Sequence, residues 1–161
     1  MNAKTVARFG LMTGVMLVLG YVEALLPSFG APGIKLGLSN TVLLYALLLS
    51  GPKEAILLAA MKVLLSGFLF GSPSAMLYSA AGAAMSLLVM VLISRFPLVS
   101  PVGVSVSGAV FHNIGQCAVA ILFIKVQAVL VYLPVLLISA VITGIITGIT
   151  AKYLILHIKK K

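Results

Sequence analysis

Residues 74–94 read SAMLYSAAGAAMSLLVMVLIS and contain no charged side chain. Pro73 precedes the stretch and Arg95 follows it. Proline and charged residues commonly mark the ends of an apolar helix. A helix of about 20 residues, rising 1.5 Å per residue, crosses the ~30 Å hydrocarbon core of a bilayer. The stretch therefore predicts a membrane-spanning helix.

Apolar runs of similar length lie on both sides of this stretch, separated by Pro, Gly and charged residues. They predict a single all-α domain over residues 1–161, an integral membrane six-helix bundle. The boundary between the last two spans rests only on Lys125 and Gln127, because no Gly or Pro interrupts the run there. The predicted spans are residues 6–27, 34–50, 54–70, 74–94, 102–123 and 128–154.

The overall composition agrees with this fold class. Hydrophobic residues make up 62% of the chain and charged residues 8%, whereas soluble domains average about 45–50% and about 25%. So few charged side chains do not cover the surface of a soluble protein of this size. Lipid is therefore expected to solvate most of the outside of the molecule.

The composition also excludes several classes of function. The chain has two acidic residues, Glu23 and Glu54, and no Asp, so it lacks the carboxylate pair that holds magnesium against a diphosphate. It has no G-x-x-x-x-G-K-[ST] loop for ATP, and its single Cys117 provides neither an intrachain disulfide nor a multi-cysteine metal site. The +9 net charge lies at the ends of apolar runs, which argues against nucleic acid binding. We expect a non-enzymatic protein without a metal or cofactor.

The distribution of basic residues predicts the orientation of the spans. With a cytoplasmic N-terminus, the outer loops receive only Lys35 and Lys125. The positive-inside tendency therefore favours a multi-pass protein of the cell membrane with both termini in the cytoplasm. Glu23 within the first run argues against a cleaved signal peptide at residues 1–31. The basic residues expected on the inner side are Lys4, Arg8, Lys53, Arg95, Lys152, Lys159, Lys160 and Lys161.

Polar side chains inside the spans form a second pattern. Such groups are costly in a membrane and usually face a partner, a cavity or the bundle interior. In span five, the spacing of His112, Asn113 and Gln116 brings all three toward one helical face. Most of the set falls toward the predicted outer side, which favours a polar pocket accessible from there. The predicted lining is Lys35, Asn40, Lys62, Tyr78, His112, Asn113 and Gln116, with Glu23 as a supporting charge that orients a lysine.

Structural roles for the same residues stay open at this point. Glu23 could neutralise Lys35 or Lys62, because an unpaired buried charge costs several kcal/mol. The polar residues of span five could instead form interhelical hydrogen bonds worth about 0.6–2 kcal/mol each. A haem or proton-relay role for His112 is disfavoured, because the sequence shows neither a second ligand nor an acidic partner.

The connection at residues 26–33 reads LPSFGAPG and combines Pro, which fixes φ, with Gly, which permits close backbone approach. It suits either a lid over the pocket or an ordinary turn.

Small residues four apart, which let helices approach closely, recur along the chain. Gly144 and Gly148 show this spacing in span six. The pairs in span one either pack internally or dock another membrane subunit, and they are Ala3 with Ala7 and Gly10 with Gly14.

Two motifs resemble a known family. Residues 33–40 (GIKLGLSN), which enter span two, and residues 112–116 (HNIGQ) in span five resemble the Gx transporter family, also described as heptaprenyl diphosphate synthase component I-like membrane proteins. Residues 77–82 (LYSAAG) also fit its pattern, and Lys62 lies where that family tends to carry a basic residue. The family is in turn similar to the substrate-binding S components of energy-coupling factor transporters.

This resemblance implies a six-helix protein that binds a vitamin or related nutrient near the outer face, under a lid formed by the loop between its first two helices. It also implies a partner, because a small-residue patch on the first helix of S components meets a transmembrane coupling subunit that joins two ATPases. Ala3 with Ala7, or Gly10 with Gly14, would provide that patch here. The synthase name fits poorly with a chain that lacks metal-binding carboxylates.

The leading prediction is thus an S-component-like membrane subunit, surrounded by lipid, that binds a small anionic or isoprenoid- or quinone-related metabolite for uptake. Separate coupling and ATP-binding subunits would supply the energy. The alternative is an accessory membrane subunit of isoprenoid, quinone or electron-transfer metabolism that transports nothing. A self-sufficient secondary transporter ranks last, because Glu23 is the single acidic residue within a span that could relay protons.

Overall fold

The computed structural model describes residues 3–25, 37–124 and 129–159, and this part of the chain is helical throughout apart from short turns. The six helices follow the six predicted spans closely, and α6 extends five residues beyond its predicted end, residue 154. Their bounds are α1 Ala3–Leu25, α2 Leu38–Ser50, α3 Pro52–Phe70, α4 Pro73–Ile93, α5 Pro101–Ile124 and α6 Val129–Lys159.

The helix starts follow from local sequence. Three helices begin with proline, whose fixed φ suits the first helical position and whose missing N–H has no intrahelical partner there. Ser72 caps α4, since its hydroxyl accepts a hydrogen bond from the backbone N–H of Ala75 at 3.2 Å. Gly51 lies at the sharp turn between α2 and α3. Its φ of 99° is a backbone conformation that a residue with a side chain rarely adopts.

Four of the described helices are long and apolar enough to cross a membrane: Ala3–Glu23, Pro73–Ile93, Pro101–Phe123 and Val129–Ile158. Many of their large apolar side chains are exposed, as expected for surfaces that face lipid. The protein is therefore membrane-embedded. The other two helices differ: α2 has only 13 residues, and α3 carries Lys53, Glu54 and Lys62.

The predicted span at residues 34–50 is thus represented by a shorter helix. Residues 34–36 lie outside the described part, and α2 begins at Leu38. At 1.5 Å per residue, 13 residues extend about 20 Å, which is less than the ~30 Å hydrocarbon core. The neighbouring helices shield this short element, since α2 packs against α1, α3, α5 and α6.

Close backbone approaches at glycines join α5 to α4 and α6. A Cβ at Gly115 would lie 2.7 Å from the carbonyl oxygen of Ala81 on α4. Cβ atoms at Gly144 and Gly148 would each lie 2.7 Å from a backbone Cα of α5, those of Val106 and Val102. The small pair of α6 therefore packs internally, by close backbone approach.

Candidate functional site

A cavity of about 430 Å³ lies among the six helices, within the ~300–1,000 Å³ range typical of small-molecule sites. The polar residues that the sequence singled out within the spans and that the structure describes all contribute to its lining. They are Glu23, Asn40, Lys62, Tyr78, His112, Asn113 and Gln116. Lys35 and the predicted lid, residues 26–33, lie outside the described residues.

The start of α2 lies inside the bundle and forms one side of this cavity. Gly37 precedes the helix at φ 72°, and a Cβ there would lie 3.6 Å from the Thr147 methyl group of α6. The carboxylate of Glu23 accepts hydrogen bonds from the backbone N–H of Leu38 at 3.1 Å and from the Ser39 hydroxyl at 3.4 Å. Glu23 is buried. Because its carboxylate lies at the N-terminus of α2, the positive end of the helix dipole stabilises its negative charge.

This contact gives Glu23 a role that the sequence pattern did not predict. A carboxylate from the end of α1 supplies the cap of α2, which has no capping side chain of its own. The predicted role of Glu23, orientation of a lysine, stays a prediction.

Lys62 and Asn40 meet on the cavity wall. The Lys62 ammonium of α3 donates a hydrogen bond of 2.8 Å to Asn40 Oδ1, in the first turn of α2. An amide oxygen accepts a hydrogen bond from an ammonium and so orients it. The pair therefore places an ammonium group at the cavity wall, close to the start of α2.

His112 and Gln116 form a polar pair on α5. The distance between His112 Nε2 and Gln116 Nε2 is 3.2 Å, as expected for side chains one helical turn apart. Behind them lies Gly82 of α4, where a Cβ would come 2.9 Å from the imidazole ring and 3.0 Å from Gln116 Cγ. The missing side chain of Gly82 thus provides the space that this pair occupies.

Asn113 has the interhelical role that the sequence left open. Its Nδ2 donates a hydrogen bond of 2.8 Å to the backbone carbonyl of Leu136 on α6. Because Asn113 also contributes to the cavity lining, the contact with α6 fixes how this side chain is presented there.

Most hydroxyl groups of the lining are the part that the sequence reasoning missed, and they include Ser66, Ser79, Ser86, Ser139 and Thr143. Serine and threonine often bond to their own helix backbone in membranes, as Ser139 does to the Leu136 carbonyl at 2.8 Å. Their presence within a span therefore does not by itself indicate a cavity. A second, smaller cavity of about 20 Å³ continues beside Ser86 and Thr143.

Among the described residues, no cluster of three or more His, Cys, Asp or Glu could hold a metal ion. The lining instead offers hydroxyl, amide, imidazole and phenol groups, one ammonium and one capped carboxylate. This set of groups suits non-covalent recognition of a polar molecule.

The small residues of α1 lie on its exposed face. Ala3, Ala7, Gly10 and Gly14 are all exposed, and Cβ atoms at the two glycines would have no neighbour within 4 Å. Unlike the pair on α6, these residues are not used for packing within the described part of the chain.

Comparison with known proteins gives one match. The family model described as heptaprenyl diphosphate synthase component I matches residues 12–154, which include all the described polar residues of the cavity wall. No curated protein and no solved structure matches the chain.

Proposed function

The chain belongs to the heptaprenyl diphosphate synthase component I family, the Gx transporter-like family, and from this premise we propose that it is a substrate-binding membrane subunit for uptake of a small metabolite. Its cavity would hold the metabolite, and separate coupling and ATP-binding subunits would supply the energy. The protein itself would catalyse no reaction.

One observation carries this proposal: polar residues far apart in sequence line a single cavity of about 430 Å³ in a membrane-embedded bundle. Burial of polar groups among apolar helices is costly, and hydrogen bonds between pairs of helices would satisfy them without leaving a void. A void of this size, lined by apolar residues together with several polar groups, is the arrangement expected of a ligand site.

The charged groups of the wall indicate which ligands fit. The carboxylate of Glu23 is directed to the start of α2, and the Lys62 ammonium donates a hydrogen bond to Asn40 Oδ1 at the cavity wall. An anionic or carbonyl-bearing ligand gains most from this arrangement, because an ammonium forms its strongest hydrogen bonds with such acceptors.

The exposed small residues of α1 support a docking role toward a transmembrane coupling subunit. Ala3 with Ala7, or Gly10 with Gly14, would let a partner helix approach closely. In the orientation that the basic residues favour, both termini are cytoplasmic and the cavity receives its ligand from outside.

Mass spectrometry of small molecules retained by the gently solubilised protein tests the proposal directly. We expect one metabolite to co-purify with the wild-type protein and to be lost from Gln116→Ala and Lys62→Met. Gly10→Ala is the matched control, since its position is open and remote from the lining, and it should retain the metabolite. Equal retention by all four proteins would contradict the assignment of the cavity.

The description of the family as a synthase component favours one second candidate, an accessory membrane subunit of isoprenoid or quinone metabolism that transports nothing. Co-purification of native complexes distinguishes the two. Recovery of ATP-binding and coupling subunits supports uptake, whereas recovery of a prenyl synthase or a redox protein supports the accessory role.

A further inference from the structure

The lining of the cavity is divided chemically between its helices. Most lining residues of α1 and α3 are apolar, namely Met16, Leu17, Gly20, Ala59, Val63, Gly67 and Phe70, and the other three are Glu23, Lys62 and Ser66. The opposite wall is formed by α4, α5 and α6 and carries most of the hydroxyl, amide and imidazole groups. A ligand in this cavity therefore meets a polar surface on one side and an apolar surface on the other.

The polar residues of α1 and α3 bond away from the apolar wall or within their own helix. Glu23 accepts hydrogen bonds at the start of α2, and Lys62 donates a hydrogen bond to Asn40, which is also on α2. The Ser66 hydroxyl donates to the carbonyl of Val63, one turn back along α3.

The seam between α1 and α3 is held by contacts at three levels. Arg8 pairs with Glu54 at 2.6 Å, and the Thr13 hydroxyl lies 3.9 Å from the sulfur of Met61. At the third level, the rings of Tyr21 and Phe70 contact each other at a tilt of 37°, with centroids 5.1 Å apart. Thr13 and Tyr21 are eight residues apart, about 12 Å along the helix, and cavity-lining residues of α1 occupy this interval.

The Tyr21–Phe70 pair therefore lies between the cavity and the exposed surface of the bundle. Phe70 lines the cavity, yet Tyr21 is 46% exposed and Phe70 is 51% exposed. Gly20, next to Tyr21, also lines the cavity, and among the described residues no atom lies within 4 Å of a Cβ at this position.

Resting on the proposed function, we infer that the ligand is an amphiphile, with a carbonyl-bearing polar head between Lys62 and the polar side chains of α4–α6 and an aliphatic tail along the apolar residues of α1 and α3. The tail reaches the bilayer through the seam at Tyr21 and Phe70, which serves as a side entrance from the outer leaflet of the membrane. An apolar tail gains free energy on such a wall by leaving water, whereas a purely polar ligand leaves half of the lining unused.

Alkyl esters of 4-hydroxybenzoate test the ligand class, because they share one polar head and differ only in tail length. We expect the heptyl ester to bind the protein in phosphatidylcholine nanodiscs at least ~10-fold more tightly than the methyl ester, with each dissociation constant expressed against the ester concentration free in water and with binding to empty nanodiscs subtracted. Gln116→Ala should weaken both esters, and Gly10→Ala should weaken neither. Equal affinity for the two esters, or binding of neither, overturns the inference.

A reversible lock tests the side entrance. In a Cys117→Ala background, Tyr21→Cys with Phe70→Cys is compared before and after oxidation, with Tyr21→Cys alone as the control. Oxidation of the pair should slow entry of the heptyl ester at least ~10-fold while entry of the methyl ester stays unchanged. Equal slowing of both esters, or no slowing, overturns the entrance. If no disulfide forms, Tyr21→Ala with Phe70→Ala replaces the lock and should speed entry of the heptyl ester alone.

Failure of the amphiphile inference can be distinguished from failure of the proposed function by comparing ester binding with retention of the metabolite. If a metabolite is retained by the wild-type protein but neither ester binds, the amphiphile inference fails and the metabolite-binding function stands. If no metabolite is retained and no ester binds, both fail.

Discussion

Gly82 shows how a residue without a side chain shapes the site. It contributes no group to the cavity lining, but the imidazole of His112 and the methylene carbons of Gln116 occupy the space beside its Cα. A methyl group at this position would meet both side chains below ordinary contact distance. The polar pair would then move toward the cavity.

We predict that Gly82→Ala changes the environment of His112 while the fold is retained. The chain has two histidines, so ¹³C-histidine NMR resolves His112, with His157 on α6 as an internal reference. Overpacking of this kind typically lowers the free energy of unfolding by about 1–3 kcal/mol. A His112 signal that moves no more in Gly82→Ala than in the open-position control Gly10→Ala would contradict the assignment.

At the same scale, the sequence predicted which polar residues matter better than what they contact. Glu23, Lys62 and Gln116 stand out because charged and amide groups are rare in apolar spans. Their partners depend on which helices are neighbours, and the sequence pattern does not contain that information. The contact between Glu23 and Leu38, for example, involves a backbone N–H that every residue except proline offers.

At the scale of elements, α5 and α6 are joined more closely than α1 is to its neighbours. Backbone approaches at Gly144 and Gly148 and the buried hydrogen bond between Ser105 and Thr147, 2.8 Å long, fix the register of this pair. The glycines of α1 have no comparable contact with the residues that the structure describes.

We expect Gly148→Ala to lower the free energy of unfolding by about 1–3 kcal/mol, because the added methyl group meets the backbone of Val102. Gly14→Ala adds the same group in open space and should leave stability unchanged or raise it by up to about 1 kcal/mol. Thermal unfolding in detergent compares the two variants. Equal melting temperatures would show that α5 and α6 tolerate a wider separation.

The cap of α2 gives a second prediction for an element. Glu23→Gln keeps the shape of the side chain and removes the charge, so α2 should lose about 1 kcal/mol of stabilisation at its first turn. Hydrogen exchange of the first-turn amides should then be faster by about fivefold. Glu54→Gln, which breaks the half-exposed pair with Arg8, is the matched control and should leave that exchange unchanged. Identical exchange in both variants would exclude the cap as a stabilising contact.

At the scale of the whole molecule, hydropathy and helix-ending residues were sufficient to predict the six helices, because apolar length and Pro or Gly boundaries are local properties. The short α2 was not predicted, since the apolar run does not show where the helix begins within it. The division of the cavity into a polar and an apolar wall also depends on how the helices are arranged around it. The residues of the walls were therefore partly predictable, and their arrangement was not.

The predicted orientation is testable with single cysteines in a Cys117→Ala background. Ser74 and His157 are both exposed, one at the start of α4 and the other near the end of α6. In intact cells, a membrane-impermeant thiol reagent should label Ser74→Cys, whereas His157→Cys should be labelled only after permeabilisation, because the positive-inside tendency places the end of α6 in the cytoplasm. The reverse pattern would invert the topology.

The length of α6 has a consequence for the surrounding lipid. Its 31 residues extend about 46 Å, and a typical tilt of about 20° still leaves it some 13 Å longer than a ~30 Å hydrocarbon layer. The last turns of α6, with Lys152, Tyr153 and His157, would therefore stand among phosphate groups, where basic and aromatic side chains anchor best. A thicker bilayer would draw these turns into the acyl chains, so the protein should prefer thin, anionic membranes.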